Sequence, residues 1–124
     1  MNDLKYLSAL SIPLSAFIAL HLKGAWLFLP PVYAFIFIPI LECVLPVSTE
    51  NFSEEAKEKR AVSRFFDWML YANIPIVFGL LIWGFYIVST VNLRAFEAVG
   101  LVVSIGMVLT TNGINVAHEL GHRQ

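Results

Sequence analysis

The residues with the clearest chemical potential lie together near the C-terminal end of the sequence, in the stretch N-V-A-H-E-L-G-H-R-Q (115–124). His118 and His122 are four residues apart, and Glu119 lies between them. Because an α-helix has about 3.6 residues per turn, residues four apart share a face, and both imidazoles can bind one metal ion or two neighbouring ions. The spacing therefore predicts a metal site in preference to two unliganded histidines at a membrane surface.

Polar residues extend this pattern towards the start of the same predicted helix. Thr111, Asn115, His118 and His122 follow the spacing i, i+4, i+7 and i+11, so they form one stripe. A polar stripe in a membrane helix is expected to face the interior of the bundle. Glu119 lies roughly 100° around the helix from His118. We predict that Glu119 binds at the edge of the site or, like Asn115, supports a ligand histidine through a hydrogen bond.

The composition is that of a membrane protein and not of a soluble or nucleic-acid-binding domain. Of the 124 residues, 58% are hydrophobic and 14% are charged, against about 45–50% and about 25% in soluble proteins. The formal net charge of −1 offers no basic surface for nucleic acid. Cys43 is the single cysteine, which excludes an intrachain disulfide and a thiolate metal cluster.

Four apolar segments are long enough to cross a bilayer, which requires roughly 17–25 helical residues. They cover about residues 6–22, 25–46, 68–90 and 98–117. The sequence therefore predicts an all-α fold, a polytopic bundle with four transmembrane spans. We expect residues 1–124 to form the N-terminal part of one membrane domain, and the first apolar segment to be retained, since no cleavage site follows it.

Lys23 and Gly24 alone connect the first two segments, which predicts a tight antiparallel hairpin. The positive-inside rule places the N-terminus, the 47–67 loop and the HELGH end in the cytoplasm. We expect the protein in the plasma membrane (bacterial inner membrane). His21 would then lie on the opposite side from His118 and could not share its metal. The basic residues on the cytoplasmic side are Lys5, Lys57, Lys59, Arg60, Arg64 and Arg123, against Lys23 and Arg94 on the other side.

The 47–67 loop is predicted to contain a short helix that Asn51 or Ser53 caps, with acidic residues early and basic residues late. It is interpreted chiefly as a solvated connector that fixes the topology. A docking surface for an acidic electron carrier is the alternative. Glu42 belongs to the same membrane end as the histidine pair. It is predicted either to accept a hydrogen bond from a ligand histidine or to lie in interfacial water.

Two histidines are fewer ligands than a catalytic metal site needs. Zinc enzymes use three protein ligands, and mononuclear non-heme iron uses two histidines and a carboxylate. Residues 1–124 therefore supply part of a site. We expect a longer protein, of which this sequence is the N-terminal piece, to complete it, in preference to a partner chain.

The stretch N-G-I-N-V-A-H-E-L-G-H-R (112–123) resembles the first histidine box of the integral-membrane alkane hydroxylases, the alkane 1-monooxygenases. That box is H-E-L-G-H followed by Lys or Arg, with Asn three residues before the first histidine, and residues 115–123 match it. The segments P-I-L-E, ending at Glu42, and D-W-M-L-Y (67–71) also resemble the family, as does the acidic-then-basic loop. Only the histidine box is specific.

The resemblance implies a six-span protein with two non-heme iron ions at the cytoplasmic side, bound in part by His118 and His122. It implies that one oxygen atom of O2 is inserted into the terminal methyl group of an alkane, with electrons from NAD(P)H through a reductase and rubredoxin. The other histidine boxes and two more spans would follow residue 124, so this segment alone is expected to be inactive.

A hydrophobic substrate that dissolves in membrane lipid would need a channel to the metal. Ala34, Ser104 and Thr111 are the candidate lining residues because they could leave room between helices. Small residues also permit close helix packing. For each of these residues considered individually, we favour packing over a channel.

Other function classes stay open. A membrane zinc metalloprotease would use Glu119 to activate a zinc-bound water, although its third ligand is absent from the sequence. A histidine-box desaturase or a xylene-type hydroxylase would share the scaffold and differ in substrate. Desaturase first boxes more often carry Asp at the position of Glu119, which disfavours that class. A structural or assembly protein would need the spans and not the metal.

Overall fold

The computed structural model describes residues 10–44 and 64–122, and the regular elements within these ranges are helices. This agrees with the predicted all-α fold. The helices are α1 (Ser11–Leu22), α2 (Gly24–Val44), α3 (Arg64–Thr90) and α4 (Ala95–Gly121).

Three of the four predicted spans are long and apolar enough to cross a membrane. They are α2 with 21 residues, the Asp67–Thr90 part of α3 with 24 residues, and α4 with 27 residues. The 12 described residues of α1 are apolar but rise only about 18 Å, short of a hydrocarbon core of about 30 Å. The predicted first span began at residue 6, and residues 6–9 lie outside the described residues. A fourth span, and the two expected after residue 124, therefore stay predictions.

The end of the predicted 47–67 loop is corrected by the structure. Residues 64–67 are helical and belong to α3, which as described begins at Arg64. Asp67 lies in the first turn, where a carboxylate interacts favourably with the helix dipole. The polar residues at this end therefore continue the helix beyond its apolar part. The remainder of the loop, including the predicted caps Asn51 and Ser53, lies outside the described residues.

The predicted hairpin of α1 and α2 is present. The Lys23 N–H group donates to the Ala19 carbonyl at 2.9 Å and closes α1. Lys23 and Gly24 both have positive φ, 59° and 60°, and this left-handed pair reverses the chain. The two helices then pack side by side.

The core lies where α1, the first turns of α2, and the facing parts of α3 and α4 meet. Its buried hydrophobic residues are Ala16, Leu20, Leu27, Val77, Leu80, Ile87, Leu101, Ile105 and Val108. A Cβ placed on Gly100 would lie 2.8 Å from Phe28 Cε2 and 3.2 Å from Leu27 Cβ, so α4 approaches α2 closely at that point. The buried Ser104 hydroxyl donates to the Leu27 carbonyl across the same contact. Small residues of this kind allow close packing in membrane bundles.

Two π-helical turns interrupt the long helices, at Tyr33–Phe37 in α2 and at Leu109–Ile114 in α4. The π turn in α4 contains Thr110 and Thr111, whose hydroxyls donate to the carbonyls of Gly106 and Met107 at 2.8 Å each. Such bonds to the preceding turn compete with the regular helix ladder and often bend helices. The π turn ends directly before Asn115–Gly121, the α-helical segment that carries His118.

Candidate metal centre

His118 and His122 form a stacked pair at the end of α4. Their ring centroids are 5.3 Å apart and the ring planes differ by 6°. The His122 N–H group donates to the His118 carbonyl at 3.2 Å, so the helical path continues to His122 and keeps both side chains on one face. The structure thus brings together the two imidazoles that the sequence predicts to share a face.

The face that carries the imidazoles points away from α3. His118 and His122 are exposed, whereas Val116 and Leu120 line a cavity against α3. A step of two residues is about 200° around a helix, so these two pairs lie on opposite sides. Among the described residues, the imidazole end of the polar stripe therefore faces away from α3, and a position in the interior of the whole bundle stays a prediction. Packing against α3 takes up the opposite side of this helix end.

The remaining residues of the predicted stripe change environment along α4. Thr111 is half-buried, and its hydroxyl also lies 3.0 Å from Asn112 Oδ1. Asn115 and Glu119 are exposed, as the imidazoles are. Glu119 has an interaction within the described part of the chain. The supporting roles predicted for Asn115 and Glu119 stay predictions.

The donor set of this segment fits part of a metal site. Imidazole nitrogens suit iron and zinc alike, and two of them four residues apart can fill two coordination positions. Within residues 10–44 and 64–122, no cluster of three or more His, Cys, Asp or Glu residues could hold a metal ion. Any further ligands would come from outside this part of the chain.

A cavity of about 330 Å³ lies between α3 and the end of α4, behind the imidazole-bearing turns. Its lining residues are Asn73, Ile74, Val77, Phe78, Leu109, Asn112, Gly113, Val116, Ala117 and Leu120. A second and larger apolar cavity, of about 720 Å³, lies between α1 and α3 beside Phe17, Pro75 and Trp83.

Asn73 and Asn112 form a buried amide pair at the smaller cavity, each only 5% exposed. Asn73 Nδ2 donates to the Asn112 carbonyl, and Asn112 Nδ2 donates to Asn73 Oδ1, both at 3.3 Å. Neither was among the predicted site residues. A signal for Asn73 was present in the sequence, because an isolated amide in an apolar span is expected to face the bundle interior.

The amino-acid sequence was compared with known proteins. It is 33% identical to the alkane 1-monooxygenase of Pseudomonas putida and 32% identical to alkane 1-monooxygenase 1 of Alcanivorax borkumensis, each over 89 residues, or 70% of this chain. It is 30% identical to alkane 1-monooxygenase 2 of Pseudomonas aeruginosa over 122 residues, or 94% of this chain. The chain belongs to the alkane 1-monooxygenase family.

The chain spans 21% of the length of the first two of these alkane 1-monooxygenases and 32% of the third. No family model matches the sequence, and no solved structure matches it. The three relatives share one name, and nothing in the comparison supports the metalloprotease, the desaturase or the structural protein.

Within this alkane 1-monooxygenase segment, His21 is remote from the stacked histidines, as the predicted topology requires. A Cβ on Gly24, three residues after His21, would lie 3.9 Å from Glu97 Oε1 at the start of α4. From Glu97 to His118 the helix rises about 32 Å. Glu42 is exposed near the end of α2, and no hydrogen bond joins it to either described imidazole. Its supporting role stays a prediction.

The three candidate channel residues line neither of the two cavities. Ser104 is buried and its hydroxyl bonds to the Leu27 carbonyl, which is the packing role that the sequence analysis favoured. The Thr111 hydroxyl bonds within its own helix. Ala34 is half-buried in the π turn of α2. A channel along these residues stays a prediction.

Proposed function

We propose that this chain is part of a membrane-bound, non-heme di-iron monooxygenase that hydroxylates the terminal carbon of alkanes. Two findings together support the proposal. The sequence is similar to alkane 1-monooxygenases, and an imidazole pair lies on one face at the end of an apolar helix. Since the chain spans a third or less of those relatives, the activity of the whole protein is part of the proposal.

Bound iron would supply the activation of O2, which amino-acid side chains cannot perform. One oxygen atom would enter the terminal C–H bond to give a primary alcohol. The other would be reduced to water with electrons from rubredoxin, which an NAD(P)H-dependent reductase would reduce in turn. These partners follow from the family resemblance.

His118 and His122 would each bind iron through one ring nitrogen. The other ring nitrogen is then a donor that a nearby acceptor can hold, which fixes the orientation of the imidazole. Glu119, on the same helix end, and Glu42, at the end of α2, are the candidate acceptors. The remaining ligands would lie beyond residue 124.

The bundle around this helix end suits a hydrocarbon better than a peptide, and its cavity lies on the side of α4 opposite the imidazoles. The cavity behind the helix end is apolar apart from Asn73 and Asn112, which bond to each other. An alkane concentrates in the bilayer and could enter such a space without losing hydrogen bonds to water. The cytoplasmic orientation predicted from the basic residues would put the iron on the side where soluble electron carriers are available.

The test uses the full-length gene product in bacterial membranes supplied with rubredoxin and its reductase. We expect His118→Ala and His122→Ala each to abolish conversion of n-alkanes to primary alcohols. Bound iron should fall, while membrane insertion is unchanged. His21→Ala is the matched control and should keep both iron and activity, since His21 lies at the other end of the bundle. Unchanged iron and activity in both site variants would contradict the ligand assignment.

A further inference from the structure

The Asn73–Asn112 pair joins α3 to the π turn of α4. Asn112 lies within this turn, Leu109–Ile114, and its carbonyl accepts bonds both from Asn73 Nδ2 and from the Asn115 N–H group. A carbonyl in a regular helix would bond to the residue four positions later. The amide from α3 therefore binds the backbone at the point where the helix departs from its regular hydrogen-bond pattern.

A π turn contains one residue more than an α turn. Each residue corresponds to about 100° of rotation around an α-helix. If Leu109–Ile114 became regular α-helix, every residue after it would rotate by about 100° relative to the first half of α4. The side chains that would rotate include His118 and His122.

The spacing of the buried residues of α4 indicates that the π turn changes the rotation of the helix end by about this amount. Val108, Asn112, Val116 and Leu120 are four residues apart in succession, and the last three line the cavity against α3. In a regular α-helix a spacing of four drifts by about 40° at each step, or about 120° over three steps. The extra residue of the π turn compensates for most of this drift. It keeps Leu120 on the side of α3 and leaves the imidazoles on the opposite side.

We propose that Asn73 and Asn112 are positioning residues. Their buried amide pair holds the π turn of α4, and the π turn sets the direction in which His118 and His122 point. Loss of the pair would let this turn relax to α-helix and swing both imidazoles around the axis. The consequence for iron binding rests on the proposed function, whereas the direction of the imidazoles can be measured independently of it.

The direction can be measured as a distance with a paramagnetic probe. In the full-length, metal-depleted protein in lipid nanodiscs, Cu(II)-nitrilotriacetate is bound to His118 and His122. A nitroxide label is attached to Cys43, an exposed free cysteine at the end of α2, after any cysteine beyond residue 124 is replaced by Ser. Pulsed dipolar EPR then gives the copper–nitroxide distance, and the variant lacking both histidines identifies the signal.

The decisive variant replaces both amides, Asn73→Leu with Asn112→Leu. Removing both amides leaves neither side chain facing a lost partner, so the folded state is expected to survive better than in either single variant. We expect the mean distance to change by about 5 Å or more, since rotation by about 100° carries a side chain across much of a helix about 10–12 Å wide. Ser89→Ala is the control. Its exposed hydroxyl bonds only to the Tyr86 carbonyl within α3, outside the π turn, and the wild-type distance should persist.

An unchanged distance in a correctly inserted double variant would overturn the proposal. If the double variant does not insert into the membrane, the copper–nitroxide distance is measured in Asn73→Ala instead, because this variant leaves the sequence of α4 unchanged. A variant whose copper–nitroxide distance has shifted should also lose bound iron, by about tenfold or more. If that variant kept its iron, the positioning role would be overturned. If the wild-type protein bound no iron and formed no alcohol, the proposed function would fail while the distance result stood.

A deletion pair tests the π turn by itself. Deletion of Gly113 removes one residue from this turn, and a regular α-helix would then present His118 in nearly its original direction. Deletion of Gly106, from the regular part of the same helix, should rotate everything that follows. We expect the wild-type distance to be kept approximately in the first variant and lost in the second. The reverse result would contradict the role given to the π turn.

Discussion

The imidazole rings of His118 and His122 lie parallel, 5.3 Å apart between centroids, on the side of α4 that faces away from α3. Val116 and Leu120 occupy the opposite side and line the cavity against α3. The end of α4 therefore has one face for packing and one for ligands. Substitutions on the two faces should have separable effects on stability and on metal binding.

The carboxylate between the histidines provides a test of its role. If Glu119 holds a ligand imidazole, Glu119→Gln should lower bound iron by about 10–100-fold without impairing insertion. Glu97→Gln is the matched control, since Glu97 accepts a hydrogen bond from the Arg94 N–H group at the far end of α4. Iron per protein, measured by mass spectrometry on purified full-length protein, distinguishes them. Equal iron in both variants would exclude this role for Glu119.

The contact of Gly100 with α2 predicts a position that tolerates no side chain. In Gly100→Ala the new Cβ would lie 2.8 Å from Phe28 Cε2 and 3.2 Å from Leu27 Cβ, and overpacking of this kind costs about 1–3 kcal/mol. Gly106→Ala, on the same helix with no atom within 4 Å of its Cβ, should be neutral or stabilising by up to about 1 kcal/mol. Thermal unfolding in detergent micelles compares the two, and equal stability would contradict the close contact.

The buried Ser104 hydroxyl predicts a measurable cost for its loss. Ser104→Ala leaves the Leu27 carbonyl without this donor and should destabilise the fold by about 1 kcal/mol. The control is Ser89→Ala. The exposed Ser89 hydroxyl bonds only to the Tyr86 carbonyl in its own helix, and its removal should change stability by less than about 0.5 kcal/mol. If Ser104 lined a substrate channel instead, Ser104→Ala would alter chain-length preference and leave stability unchanged.

The amide pair predicts non-additive energetics. Asn73→Leu alone removes the acceptor of the Asn112 Nδ2 group, and Asn112→Leu alone removes the donor to Asn73 Oδ1, while Asn73 Nδ2 keeps the backbone carbonyl of residue 112. Each single variant should therefore be less stable than the double variant. The coupling free energy should be near the average of about 0.6 kcal/mol for hydrogen bonds in membrane proteins and below about 1.7 kcal/mol. Additive losses in a double-mutant cycle would show that the two amides act independently.

The predicted orientation can be checked through Cys43. A membrane-impermeant maleimide should label Cys43 in inside-out vesicles and leave it unlabelled in intact cells. Asn92→Cys, in the exposed connection between α3 and α4, should give the opposite pattern when Cys43 is replaced by Ser. Labelling of Cys43 from outside intact cells would reverse the topology.

Much of the fold could be predicted because hydrophobic length and spacing are local properties. The three long spans agree with the predicted segments to within a few residues, and Lys23-Gly24 form the predicted turn. Helix α3 begins at Arg64, before the predicted span, because charged residues such as Arg64 and Asp67 end an uncharged apolar segment without ending a helix. Whether Ala34, Ser104 and Thr111 pack against a helix or line a channel could not be predicted from the sequence, because it depends on which helix each residue faces in the folded bundle.

For the candidate site, the sequence by itself determined that His118 and His122 share a helix face, since 3.6 residues per turn brings every fourth residue back to the same side. The histidine box also indicated the family, and the similarity to three alkane 1-monooxygenases supports that prediction. Only the tertiary structure decided which way that face points. The π turn at Leu109–Ile114 and the amide contact from α3 set the rotation of the helix end. That contact joins Asn73 to Asn112, which are 39 positions apart in the sequence and meet only in the folded bundle.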